Sequence, residues 1–464
     1  MTSTEHSTTT TTADDVAREL RAAVTGPVVT AADPDYDALR AVVMGGVDPR
    51  PAVNSRPRSA DEVTATLAVA RRHGLPVAVR SGGHSGAAHG SVDGGVVVDV
   101  REMAGIEIDA EARTAWVGAG ATAGEVSVAT SAQRLVVGFG DTGSVGVAGI
   151  TLGGGVGYLS RLHGLTVDNL LAAEVVLADG RTVVADAEHH ADLFWALRGG
   201  GGNFGVVTRL KYRLHPLEHV TGGMLFLPAE PEVLAGLITA AQQAPEELGL
   251  IANVMPCPPM PFVPAELHGR TLIMTLVCYA DTPDDAAAAL APIRALATPL
   301  ADLVRPISYP EMFPPENAGG DYHPVTVVRT LFLDRVDVDV ARDAIERLDA
   351  IDGMRALQLR PLGGAIARVP ADATAYAHRD AGLMANVVAF VTPEDRAQRT
   401  AWVTDYAAAL DQGVAGAYVN FLADEGPDRV RAAYPGSTWD RLRAVKATYD
   451  PDNVFSRNQN VPPA

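Results

Sequence analysis

Cysteine is almost absent: the 464-residue chain has two, Cys257 and Cys278. Two thiols cannot build a disulfide framework, which matches a reducing compartment, so a cytoplasmic protein is expected. Basic charge is short as well, with 37 Lys and Arg against 56 Asp and Glu and a formal net charge of −19. That balance excludes nucleic acid or an anionic membrane as a partner, because either needs a basic footprint. No uninterrupted apolar run reaches the roughly 20 residues of a membrane-spanning helix, although 47% of residues are hydrophobic and supply ample material for burial. The polar, Thr-rich start from Met1 to Thr12 has neither the basic beginning nor the apolar stretch of a secretory signal. His189-His190 has no partner at HExxH-type spacing and reads as a solvated helix start, so no metal site is expected. At this length two domains are the natural expectation.

Glycine, by contrast, is concentrated in two places. The first is Val77-Ala78-Val79-Arg80-Ser81-Gly82-Gly83-His84-Ser85-Gly86, a β-branched strand running into a glycine turn that displays one histidine. Glycines let successive backbone N–H groups converge on a phosphate and leave the His84 ring no side-chain neighbours within the turn. The second runs from Gly138 through Thr142-Gly143-Ser144-Val145-Gly146 and Gly149 to Leu152-Gly153-Gly154-Gly155, Gly157 and Tyr158. So many glycines argue against an ordinary packed helix and let backbone lie flat against a large planar or phosphorylated ligand.

Together these segments resemble the FAD-binding domain of the vanillyl-alcohol oxidase and p-cresol methylhydroxylase superfamily. Within it the similarity is greatest to the berberine-bridge-enzyme-like oxidases, including the bacterial hydroxynicotine oxidase type, over about Ala52 to Arg213 and again Tyr418 to Pro463. The resemblance implies an α+β fold, a two-part FAD domain with a substrate domain whose antiparallel sheet roofs the flavin. The divisions expected are a polar lead-in (1–35), the FAD domain (36–220), the substrate domain (221–415) and a C-terminal segment returning to the FAD domain (416–464). In that family the histidine of RSGGHS is bonded covalently to the isoalloxazine, which implies a covalent role for His84. Many members add a second link from a cysteine where this chain has Thr142, so a flavin tethered through His84 alone is implied.

The resemblance carries cofactor contacts onto Arg80, Ser81, Gly82, Gly83 and Ser85 of the first segment. In the second they fall on Thr142, Gly143, Ser144, Val145, Gly146, Gly149, Leu152, Gly153, Gly154, Gly155, Gly157 and Tyr158, and elsewhere on Val206, Asn420, Asn458 and Asn460. Val145 stands where the family places a small residue beside the oxygen-reactive face, which favours an oxidase. Tyr418-Val419-Asn420-Phe421 resembles the family's Tyr-x-Asn-aromatic strand and makes Tyr418 the implied catalytic base. Many relatives have tyrosine where this chain has Phe421, so a base at that second position would be missing here. A phenol titrates near ~10, so Tyr418 needs a cation or strong donor to favour phenolate; Arg368, His378 and Arg379 are the sequence candidates.

Outside the motifs, local signals set the order of elements. A capping box, Ser59 to Glu62, opens a helix closed by Gly74. Thr122 caps a helix over 123–133, Asp179-Gly180 turns a hairpin, and residues 206–214 form a strand. From 221 to 416, helices over 231–243, 284–297, 338–349 and 393–411 alternate with strands over 270–279 and 325–333, an α+β layer. The reading that follows is an FAD-linked oxidase acting on a small molecule with molecular oxygen as acceptor. Sugars, alkaloids and secondary metabolites are all open as substrates, as is the number of subunits. The rivals are a nicotinamide-dependent dehydrogenase, from Gly118-x-Gly120-x-x-Ala123 between strand and helix with Asp141 beyond, and a non-catalytic flavin-binding protein. A second GxGxxG, Gly200 to Gly205, leads into a strand where the fingerprint needs a helix, and both matches are discounted.

Overall fold

The computed structural model describes residues 12–260, 263–313 and 323–464; the Thr-rich start up to residue 11 lies outside them. A helix spans Ala13–Ala23 behind a Thr12–Asp15 capping box, and Val16, Ala17 and Leu20 on one face enter the first hydrophobic core. Residues 13–35 are therefore part of the packed fold, because an amphipathic stripe at i, i+1 and i+4 has found a core to cover.

Three larger sheets and one two-stranded ladder, Leu135–Val136 with His215–Pro216, organise the rest. The first holds Val28–Val29, Val53–Ser55, Val96–Asp99 and Val77–Arg80 in that spatial order, the last three parallel and Val28–Val29 antiparallel. Helix Ala60–Arg72 covers it. Ser59 accepts from the Glu62 N–H, but the Glu62 carboxylate serves Thr25 and the Arg58 N–H, so half of the expected capping box forms. The second sheet is antiparallel, in the order Ile106–Asp109, Thr114–Gly118, Val206–Arg213, Leu170–Val176 and Thr182–Asp186. Gly180, at φ +91°, turns its expected hairpin.

The third sheet has eight strands. Ala301–Asp302, Val220–Pro228, Thr271–Tyr279, Leu248–Pro256, Arg355–Pro361, Leu383–Phe390 and Thr326–Leu333 lie side by side, and Arg305–Ile307 also pairs with Val220–Pro228. Every pairing is antiparallel. Alternation along each strand separates two faces. Leu225, Ala252, Val254, Leu359 and Ala385 enter a core shared with helices Pro231–Gln243, Pro283–Arg294, Val338–Asp349 and Arg396–Leu410. The opposite face carries a row in register across six strands: Phe226, Met274, Asn253, Gln358, Asn386 and Thr330. The closing helix, Ser437–Tyr449, returns to the first core through Leu442 and Val445. The fold is α+β, as read from the sequence. Among the described residues no helix is long and apolar enough to cross a membrane.

Two local expectations change. The second glycine-dense segment contains a helix, Val147–Gly153, and a second, Ser160–His163, follows it directly. In the first of these burial of Val147, Ala148, Thr151 and Leu152 outweighs the poor propensity of glycine. Tyr418 does not lie in a strand: it precedes a single 3₁₀ turn, Val419–Phe421, after Gly416 at φ +138°.

Candidate active site

A cavity of about 390 Å³ lies where the glycine turn after Val77–Arg80, the helix Val147–Gly153 and the turn Val419–Phe421 meet. Its size falls in the roughly 300–1,000 Å³ range of small-molecule and cofactor sites. Arg80, Ser81, Gly82, Gly83, His84 and Ser85 line one side; Thr142, Val145, Gly146, Gly149 and Leu152 line a second; Tyr418, Asn420 and Asn458 close it. The two glycine segments touch backbone to backbone, since a Cβ on Gly82 would overlap the Gly146 amide. Arg80 donates from Nη1 to the Leu39 carbonyl (2.6 Å) and from Nη2 to the Ala41 carbonyl (2.5 Å). Burial lowers its pKa to about 10. Ser81 donates to the Ala119 carbonyl at 2.7 Å, and Ser144 Oγ lies 2.8 Å from His84 Nε2, which sets the plane of that ring.

The remaining sequence-predicted residues do not line the cavity, for identifiable reasons. Ser144 stands behind His84, and Gly143 accepts from the Gly124 N–H. Gly153, Gly154, Gly155 and Gly157 face other protein groups: Cβ atoms on Gly153, Gly155 and Gly157 would overlap Asn420, Thr166 and the Phe139 carbonyl, and one on Gly154 would crowd Tyr376 and Tyr418 at 3.1 Å. Tyr158 is buried against Phe313, ring centroids 6.0 Å apart. Gly205 and Val207 line the cavity while Val206 points to the other face of its strand. Asn460 lies just beyond the lining residues Asn458 and Gln459. The triple glycine thus packs closely against Asn420, Tyr376, Tyr418 and Thr166.

That arrangement decides the surroundings of Tyr418, which is 2% exposed. Its hydroxyl oxygen accepts from the Gly155 N–H (2.9 Å), the Val156 N–H (3.2 Å) and Asn420 Nδ2 (3.0 Å). Gly154 and Gly155, at φ +135° and +85°, turn the chain so that both amides face it. Burial pushes the Tyr418 hydroxyl above its usual range; the Val156 N–H, Asn420, the Gly155 N–H and Arg360 pull in the opposite direction. Neither arginine nor the histidine proposed from the sequence is its partner. Arg368 pairs with Glu246 on the surface, His378 shares a 3.0 Å hydrogen bond with the Ala433 carbonyl, and Arg379 binds Asp168 at 2.8 Å. Backbone amides supply most of the donors, and no residue-type signal marks a backbone amide.

Sequence reasoning also missed lining residues. Gly201, Gly202 and Gly205 belong to the GxGxxG that was discounted, and their glycine density was the available signal. Asp141 stood in the second glycine-dense segment and was weighed only for the dinucleotide reading, and His89, Arg457 and Gln459 carried no signal. Burial, reinforced by Arg457, lowers His89 to about 4, so this imidazole is neutral near pH 7. The GxGxxA at Gly118 and Gly120 packs against the Met103 and Val100 carbonyls, on a strand paired antiparallel on both sides. A dinucleotide-binding βαβ unit requires a parallel crossover there. Cys257 and Cys278 are both free and buried.

Residues 51–186 match the family model described as FAD binding domain, and residues 417–462 the one described as Berberine and berberine like. Fold and site therefore define an FAD-linked oxidoreductase. The chain is 30% identical over 461 residues to the FAD-linked oxidoreductase YvdP of Bacillus subtilis (strain 168), covering 95% of this chain and 99% of that one. It is 28% identical over 459 residues to (R)-6-hydroxynicotine oxidase of Paenarthrobacter nicotinovorans, covering 95% and 97%. Among solved structures, xylooligosaccharide oxidase from Myceliophthora thermophila C1, in complex with xylobiose, superposes with a TM-score of 0.84 at 25% identity over 97% and 99% of the chains. The chain belongs to the berberine-bridge-enzyme-like family of FAD-linked oxidoreductases. The residues present fit that cofactor: glycine backbone borders the cavity, and buried Arg80 Nε and Asn458 Oδ1 beside it have no protein partner.

Proposed function

We propose that this chain is an oxidase that removes hydride from a hydroxyl- or amine-bearing carbon of a small molecule. FAD supplies the two-electron chemistry when bound, with oxygen as the acceptor and hydrogen peroxide as product. The chain binds, orients and moves one proton. The glycine turns at Gly82 and Gly146 hold the cofactor with backbone N–H groups, Asn458 adds an acceptor, and His84 forms the single covalent bond, Thr142 leaving no thiol for a second. Tyr418 Oη takes the substrate's O–H or N–H proton. The observation that carries this role is the convergence of three N–H donors on one phenolic oxygen, since hydrogen bonds to the charged form favour it and oppose part of the burial that keeps the proton on. The expected division into an FAD domain (36–220, with 416–464) and a substrate domain (221–415), and a cytoplasmic location supported by two buried free thiols, belong to the same reading.

Tyr418→Phe keeps the ring and removes the acceptor. Flavin content should survive, and anaerobic reduction by substrate should slow roughly 10²- to 10⁴-fold, the worth of a positioned acid or base. Reduction at the wild-type rate would remove Tyr418 from the mechanism; no reduction by any substrate in the native protein would leave a flavin-binding protein without the reaction. Mass spectrometry of the His84 peptide should find the flavin mass, and His84→Ala should bind FAD that acid releases completely. Release from the native protein by acid would end the covalent assignment.

A further inference from the structure

Asp141 is the one carboxylate among the described residues that line the cavity, and its counter-charge comes from a distant part of the chain. Asp141 lies in the loop before helix Val147–Gly153, whereas Arg360 stands on strand Arg355–Pro361 of the eight-stranded sheet. Arg360 Nη2 donates to Asp141 Oδ2 at 2.5 Å, and Nε donates to Gln358 Oε1 at 2.9 Å. The guanidinium carbon lies 5.2 Å from the centroid of Phe421, another lining residue. Arg360 is 4% exposed, yet its Nη1 is buried with no hydrogen-bond partner. Asp141 Oδ1 receives the Thr142 hydroxyl at 3.4 Å, a long contact. One register step away on the same face, Asn386 donates to Gln358 while its own Oδ1 is buried without a partner.

A buried guanidinium with an unused N–H is an exception that asks for an acceptor, because an ion pair repays its desolvation when the remaining donors are satisfied. The pair is also neutral overall. An incoming carboxylate gains at Arg360 and is repelled by Asp141; an ammonium gains at Asp141 and is repelled by Arg360. A neutral group with a hydroxyl next to a second oxygen loses on neither side: its O–H donates to Asp141 and its other oxygen accepts from Arg360.

We propose that Asp141 and Arg360 are specificity-determining residues, and that the substrate meets them with a hydroxyl adjacent to a second oxygen, as in a vicinal diol or α-hydroxy carbonyl. This rests on the reading of the cavity as the reaction site and narrows it from amines and alcohols to neutral oxygenated compounds.

The test uses holoprotein and four probes sharing one ring: vicinal cyclohexanediol, cyclohexanol, cyclohexylamine and cyclohexanecarboxylate. Binding is read as perturbation of the flavin absorption spectrum, which requires no turnover and so stays readable whatever becomes of Tyr418. In the native protein the diol should bind tightest. Arg360→Gln should weaken the diol about 10- to 100-fold and shift the preference toward the amine; Asp141→Asn should shift it toward the carboxylate. Arg360→Lys, which keeps the charge, should retain the native order and serves if Arg360→Gln loses flavin or folds poorly. A merely structural pair would lower all four affinities together. That result overturns the proposal, as does a native protein that binds amine or carboxylate at least as tightly as diol, or whose flavin spectrum no probe perturbs.

Discussion

The two sides of the cavity are made in opposite ways. Toward the first sheet it is bounded by main chain, in the turns around Gly82, Gly146 and Gly202, where side chains are small or absent. On the other side, behind the lining residues Asp141 and Phe421, stand long side chains of the eight-stranded sheet, Arg360, Gln358 and Asn386, each held by another side chain. A wall of main chain depends on close approach of loops and loses its shape when one anchor fails. A wall of side chains stands on a sheet with its own core and can change chemistry with little loss of fold. The first suits an invariant ligand such as a cofactor and the second a variable one.

The largest effect should come from the anchor of the main-chain wall. Lys446 and Asp450 are both fully buried; Lys446 Nζ donates to Asp450 (2.6 Å), to the Asn203 carbonyl within the Gly199–Gly205 loop (2.6 Å) and to the Phe455 carbonyl (3.0 Å). Lys446→Met leaves the buried Asp450 carboxylate without its counter-charge, held by the Val454 and Phe455 N–H groups, at a cost of about 3–5 kcal/mol. Chemical denaturation should show that loss together with lower flavin retention. If stability falls and flavin occupancy is unchanged, the loop does not shape the site.

Gly155→Ala should cost less overall, about 1–3 kcal/mol for a non-glycine residue forced to positive φ, with a further penalty from overlap with Thr166. Its signature should be catalytic: displacing the Gly155 amide removes a donor from Tyr418, so substrate reduction slows while flavin content stays close to native. Flavin loss with unchanged reduction would restore the direct cofactor contact expected from the sequence.

The smallest effect is a slope with pH. Burial, with Arg457 and His215 respectively, lowers His89 and His163 from 6.5 to about 4. A histidine whose folded value lies below its unfolded one binds its proton more readily in the unfolded chain, so the stability it protects is complete above about 6.5 and is lost as pH falls toward 4. The thermal midpoint should fall through that window, and His163→Gln should flatten the fall. An unchanged slope in the variant would show that His163 takes no part.

Legibility followed the same division. The strand and turn from Val77 to His84, the helix behind Ser59, the Asp179-Gly180 hairpin and the four helices of the large sheet were readable because propensity, capping and turn chemistry act over a few residues. Glycine density marked the cavity but not which glycines face it: Gly201 and Gly205 do, whereas Gly154 and Gly155 turn toward Tyr418. Conformational freedom is a property of the residue, while the neighbour that requires it is a property of packing.

By itself the sequence determined the cofactor class, the place of His84, the lack of a thiol at Thr142 and the alternation of helix and strand after residue 221, all written in residues close together along the chain. Only the tertiary structure decided that Tyr418 takes its donors from amides more than 260 residues earlier, at a separation of 263 for Gly155, and that Arg360 reaches Asp141 across 219. Those contacts depend on strand register and on a backbone amide that every non-proline residue carries, and neither leaves a mark that spacing or composition can show.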